Sequence, residues 1–133
     1  MPENTEVIVQ NYAFNNCVKL FNDLTQEDVD QFCKSIKAIG NLAFLAVPFG
    51  GLTLNLSHNL TRIGSNGFAE TGMEAVNIGS VGHASAFMSP GTNMFGDSSV
   101  SKITIYTDDI SKSVWNTFKN NVGNGAEVQI LSA

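Results

Sequence analysis

His58 and His83 are the only histidines in the chain, and a general acid or base would first be sought there. Neither lies in a spacing that builds a site by itself, since the sequence contains no HExxH, GxSxG or CxxC pattern. The two rings would meet only if the segments carrying them paired, and each reads better as a structural or surface residue. The carboxylates Glu27, Asp28 and Asp30 stand at the start of a helical pattern, where the helix dipole favours negative charge. Asp108 and Asp109 hold the same place before a second helix, so capping and solvation explain both groups before acid–base chemistry does. The glycines of Gly64-Ser65-Asn66-Gly67-Phe68 and Gly79-Ser80-Val81-Gly82-His83 lack the strand–turn–helix setting and basic partner of a phosphate loop. Cys17 and Cys33 match no metal knuckle, and Cys33 falls on an apolar helix face, which points to a buried free thiol. These residues imply no cofactor and no metal, and leave the catalytic residues unknown.

The remaining chemistry is that of neutral hydrogen-bonding groups. From Leu52 to Ile63 the sequence alternates Leu52, Leu54, Leu56 and Leu60 with Thr53, Asn55, Ser57, Asn59 and Thr61. Side chains on a strand alternate between faces, so this spacing predicts one long half-buried strand with a leucine face and an amide-and-hydroxyl face. The polar row Thr53, Asn55, Ser57, Asn59 and Thr61 is the candidate binding surface. It suits a solvated outer face, a docking face for a second copy or a polyhydroxylated ligand, or a membrane-inserting hairpin, since about 9–11 tilted residues cross a bilayer. The sequons at Asn55 and Asn59 need a secretory route, which the N-terminal residues do not signal.

Composition narrows the partners. Only 14% of residues are charged, the net charge is −5 and Arg62 is the single arginine. Phosphate-backbone binding needs clustered Lys and Arg, so nucleic acid is excluded as an expected partner. A surface this poor in charge offers little resistance to association, which points to a homo-oligomer. The longest apolar run, Leu42 to Phe49, is interrupted by Pro48 and falls far short of the ~20 residues of a membrane helix. No transmembrane helix is expected, and the missing export signal makes this either a cytoplasmic protein, the expected location, or an already processed chain.

The elements that position these groups read as follows. Glu6 to Ala13 and Cys17 to Phe21 are strand candidates. Thr25 caps a helix, answered by Asp28 and stapled by Leu24 against Val29, whose apolar stripe Val29, Phe32, Cys33, Ile36 and Ile39 runs to Gly40. Asn41 to Val47 reads as a buried strand. Residues 64–72 are turn chemistry and Met73 to Met88 alternates in part, so together with Leu52 to Ile63 it predicts a long β-hairpin; Ser89 to Ser99 reads as a loop. Lys102 to Thr107 is a strand, Ser111 caps a helix with Val114, Trp115, Phe118 and Val122 on one face, and Ala126 to Leu131 is the last strand. The two strand–helix–strand units align at a shift of 86 residues, which raises a duplication as one reading.

The expected fold is α+β over one domain, residues 1–133: a mainly antiparallel sheet with two helices on one face and a long central β-hairpin. The expected function is non-enzymatic self-association or binding of a partner or ligand through the neutral polar sheet face. The first alternative is a small-molecule enzyme or ligand-binding protein with its pocket between sheet and helices. The second is a pore-forming protein that inserts the hairpin, with a membrane surface as its partner.

Overall fold

Four short runs, Leu54-Asn55-Leu56, Val76-Asn77-Ile78, Ile103-Thr104-Ile105 and Val128-Gln129-Ile130, share one pattern of apolar, polar, apolar. Each becomes a strand because alternate side chains have one apolar layer to enter. The computed structural model describes residues 7–15, 17, 25–47, 49, 51–79, 87–107 and 112–132. Its elements are β1 (Val7–Val9), α1 (Gln26–Cys33), β2 (Ile36–Ile39), β3 (Thr53–Leu56), β4 (Arg62–Ile63), β5 (Ala75–Ile78), β6 (Ser89–Pro90), β7 (Lys102–Thr107), α2 (Ser113–Asn120) and β8 (Glu127–Ser132).

The strands form two four-stranded sheets, a first in the order β1-β2-β4-β6 and a second in the order β3-β5-β7-β8. Every described pair is parallel. This overturns the expected α+β fold with a mainly antiparallel sheet: the arrangement is of α/β type. The central hairpin does not exist either, because β3 and β5, which would have been its two arms, pair in parallel, Thr53 with Ala75 through Leu56 with Ile78. Nor do two helices cover one face, since α1 packs beside β3 and α2 beside β6. The chain winds instead as a solenoid: paired residues lie 22 to 30 positions apart, and from β2 to β7 successive strands alternate between the two sheets, with α1 between β1 and β2 and α2 between β7 and β8.

The windings are locked at a repeated corner. In Gly40–Val47, the N–H groups of Ala43, Leu45 and Val47 donate to the carbonyls of Gly40, Leu42 and Phe44, and Leu42 and Ala46 take φ of 56° and 61°. Asn66 and Glu70, then Asn93 and Asp97, repeat the left-handed pair at 55°, 59°, 53° and 55°. The corners also bond to one another. Leu42, Phe44 and Ala46 N–H groups donate to Ser65, Gly67 and Ala69 at 2.9–3.0 Å, and Asn66, Phe68 and Glu70 donate to Thr92, Met94 and Gly96 at 2.7–3.0 Å. Side chains extend the ladder: the amide N–H of Asn41 donates to Asn11 Oδ1, that of Ser65 to Asn41 Oδ1 and that of Thr92 to Ser65 Oγ. Inside, Phe14, Phe44, Phe68 and Phe95 stack at centroid spacings of 5.2, 5.2 and 5.3 Å, with planes within 19° of parallel.

Local signals were right about several ends. Thr25 caps α1 in a reciprocal box with Asp28, and β7 occupies the whole of Lys102–Thr107. The expected helix to Ile39 stops at Cys33, because Ile36–Ile39 finds parallel partners on both sides in β1 and β4. The expected strand from Asn41 to Val47 is the corner itself. Trp115, Phe118 and Val122 are buried as the stripe predicts, although Lys112 rather than Ser111 stands at the N-cap of α2 and its side chain does not cap the helix. Leu24, Ser111 and most of Cys17 to Phe21 lie outside the described residues. The repeat in the structure is a winding of 22 to 30 residues.

Two predictions follow from the corner. A Cβ on Gly64 would meet the backbone of Asn41 and Gly40 in the preceding winding, whereas one on Gly72 meets nothing within 4 Å. Gly64→Ala is therefore expected to lose about 2–3 kcal/mol and Gly72→Ala to stay close to wild type in chemical denaturation. Leu42 sits in the left-handed region where the next two windings place Asn66 and Asn93, whose side chains bond each other at 2.7 Å. Leu42→Asn is expected to gain about 1 kcal/mol, read as a higher melting temperature, since asparagine tolerates that backbone.

Candidate functional site

The outer face of the second sheet is where neutral polar side chains gather. Register places Asn55, Asn77, Thr104 and Gln129 in one row across all four strands, and Thr53, Ala75, Lys102 and Glu127 in the row before it. The row runs perpendicular to the strands, so its members come from four windings and stand one strand spacing apart, about 4.8 Å. Its start is tied to α1. Asn77 Nδ2 donates to Asn55 Oδ1 at 2.9 Å, Asn55 Nδ2 donates to Asp30 Oδ1 at 3.0 Å, and Gln26 Nε2 reaches the same oxygen at 2.9 Å.

Gln26 also closes the edge of the sheet. Its amide accepts from Thr53 N–H at 2.9 Å and donates to Thr53 C=O at 2.6 Å, which reproduces with one side chain the bonds a neighbouring strand would make. The acidic residues at the start of α1 thus divide in role. Asp28 completes the cap, and Asp30 orients the asparagine row.

Of the row predicted along one strand, only Thr53 and Asn55 lie on β3. Ser57 lies in the turn beyond it, where its Oγ accepts from the amide of exposed Asn59. Thr61 belongs to the approach to the first sheet, donating from Oγ1 to Lys37 C=O at 3.0 Å. The twelve-residue alternation therefore spans β3, a turn and β4, and its polar members are not one surface. Asn77, Thr104, Gln129, Gln26 and Asp30 were missed as members of the site. The signal for the first three was present: the same apolar–polar–apolar triplet recurs after 22, 27 and 25 residues.

The other chemical candidates do not assemble. His58 is half-buried in the turn after β3, and His83, Asp108 and Asp109 lie outside the described residues. Among the described residues no three His, Cys, Asp or Glu side chains are grouped to hold a metal. The space between α1 and the sheets, where a small-molecule pocket was expected on the second reading, is lined by Phe32, Cys33, Ile36, Phe44, Leu54 and Phe68 and has no room for a water molecule. Among the described residues no helix is long and apolar enough to cross a membrane. Comparison with protein-family models, curated proteins and solved structures returned no match.

Cys33 is a free thiol in that interior, and burial, with a smaller contribution from the nearby Asp30 carboxylate, pushes its pKa up to about 12. A raised folded-state value means that the stability it contributes is intact below the ordinary thiol range and declines as pH rises. Unfolding at pH 10 is therefore expected to be easier than at pH 8 by about 1–2 kcal/mol from this group alone. Urea titrations of wild type and Cys33→Ala at both pH values read it: the variant should lose that part of the pH dependence.

Proposed function

We propose that this protein is a non-enzymatic binding module that recognises a neutral, polyhydroxylated ligand on the outer face of its second sheet. The observation that carries the reading is the Asn55, Asn77, Thr104 and Gln129 row, a line of amides and a hydroxyl set at strand spacing and braced by Asp30. Each amide offers donors and an acceptor; Asn55 and Asn77 are half-buried, Thr104 is buried and Gln129 is exposed, so a ligand lying along the row would meet chiefly the amides. Because Asn55 and Asn77 are already held by each other and by Asp30, little ordering of those two is needed when a ligand binds. Pore formation by a central hairpin loses its basis with the hairpin itself.

The test is a titration of isotope-labelled protein with neutral oligosaccharides of glucose, xylose and N-acetylglucosamine, followed by NMR. Side-chain amide resonances of Asn77 and Gln129 should shift with one of them, and Asn77→Ala should weaken that binding roughly tenfold, as expected for two lost neutral hydrogen bonds. Shifts confined to residues of the first sheet, or none with any sugar, would reject this ligand class for this face.

A further inference from the structure

The two ends of the solenoid are finished differently. At the beginning of the second sheet, Gln26 on α1 occupies the bonding groups of β3 at Thr53. At the end of the first sheet, α2 packs beside β6, and the corner after Pro90 receives carbonyls from Asn121 and Val122. Among the described residues the end of the second sheet has no such cover: β8 is paired with β7 alone. Glu127 N–H donates to Ser101 C=O, so alternation turns the N–H and C=O groups of Val128, Ile130 and Ser132 away from β7. These residues belong to the inner face, and the side chains of Val128 and Ile130 are only half-buried where the equivalent Ile103 and Ile105 are fully buried.

This edge lacks the usual protections. Glu127–Ser132 is six residues long, holds no proline or lysine, and pairs with β7 without a register shift. A head-to-tail copy would not satisfy it, because the matching edge at the other end of the second sheet is already engaged by Gln26 at Thr53, with α1 packed beside it. A copy related by a twofold axis would. With Gln129 opposite its own equivalent, Val128 of each copy faces Ile130 of the other as a hydrogen-bonded pair, and Glu127 faces Leu131. No like charges oppose each other in that register, and the half-covered Val128 and Ile130 side chains come together.

We propose that β8 is a homodimer interface, in which two copies join antiparallel at this edge and turn their second sheets into one continuous eight-stranded sheet. The inference is independent of what the outer face binds, because it concerns backbone groups and inner-face side chains of the unliganded chain.

Sedimentation velocity of the protein without ligand, over concentrations up to about 1 mM, tests it. A reversible dimer is expected. Gln129→Lys, on an exposed position, places like charges opposite each other and should weaken it at least about tenfold. Ile130→Pro removes an outward N–H that β7 does not use, and should do the same. Thermal melts confirm that each variant is folded; Gln129→Lys keeps the test valid if Ile130→Pro is not. Oxidation of Gln129→Cys in a Cys17→Ser background should give a covalent dimer, whereas Glu127→Cys in that background should not. A monomer throughout the concentration range would overturn the proposal, and so would a dimer that Gln129→Lys leaves unchanged.

Discussion

Parallel stacking of one winding on the next is the constraint from which the other features of this molecule follow. Each winding must return to the same two sheets and the same corner, with its backbone groups aimed at those of its neighbours. At the corner this brings main chain against main chain closely enough that Gly40, Gly64 and Gly91 have no space for a side chain. Phe44, Phe68 and Phe95 follow four residues after each of them and stack into a column, and their registry reinforces that of the backbone. A solenoid of this kind is held by contacts between neighbours only, so its stability is close to a sum of windings and of the interfaces between them.

That same dependence makes the ends decisive. A strand in the middle has both edges satisfied by its own chain, while an end strand must be covered, blunted or paired. The chain covers one end of each sheet with a helix, and it does so by different chemistry. On α1 a single glutamine amide imitates a strand and Asp30 carries the asparagine row onto the helix. On α2, Trp115 and Phe118 gather with Phe87 in an aromatic cluster beside β6. The low charge of the chain fits this architecture, because parallel strands in register repeat each surface position at short spacing. Charged residues at such positions would oppose their own kind along a row, whereas asparagine, threonine and glutamine bond along it.

A surface of this sort presents repetition rather than enclosure. Its polar groups are fixed by a stiff sheet, its spacing is set by strand separation, and its length is set by the number of windings. Among the described residues, the space between α1 and the sheets is closed by aromatic and aliphatic side chains. Joining two copies at β8 would lengthen such a face without changing its spacing within either half.

What the sequence determined by itself was local. The cap at Thr25 and Asp28, the buried stripe of α2, the span of β7 and the burial of Cys33 rest on neighbours in sequence, and were legible there. The repeat was also written in it, as Ile39-Gly40, Ile63-Gly64 and Pro90-Gly91, each with phenylalanine four residues after the glycine, but the varied lengths between corners hid it. Only the tertiary structure decided the rest. The alternation from Leu52 to Ile63 fits a single long strand by period alone, and it is the parallel partners β5 and β2 that claim its two halves for different sheets. Ile36 to Ile39 continues a helical stripe equally well, until β1 and β4 offer bonds on both sides. Period tells which side chains share a face; it does not tell which strand lies alongside, and that choice made the fold parallel and set the polar row across windings instead of along one.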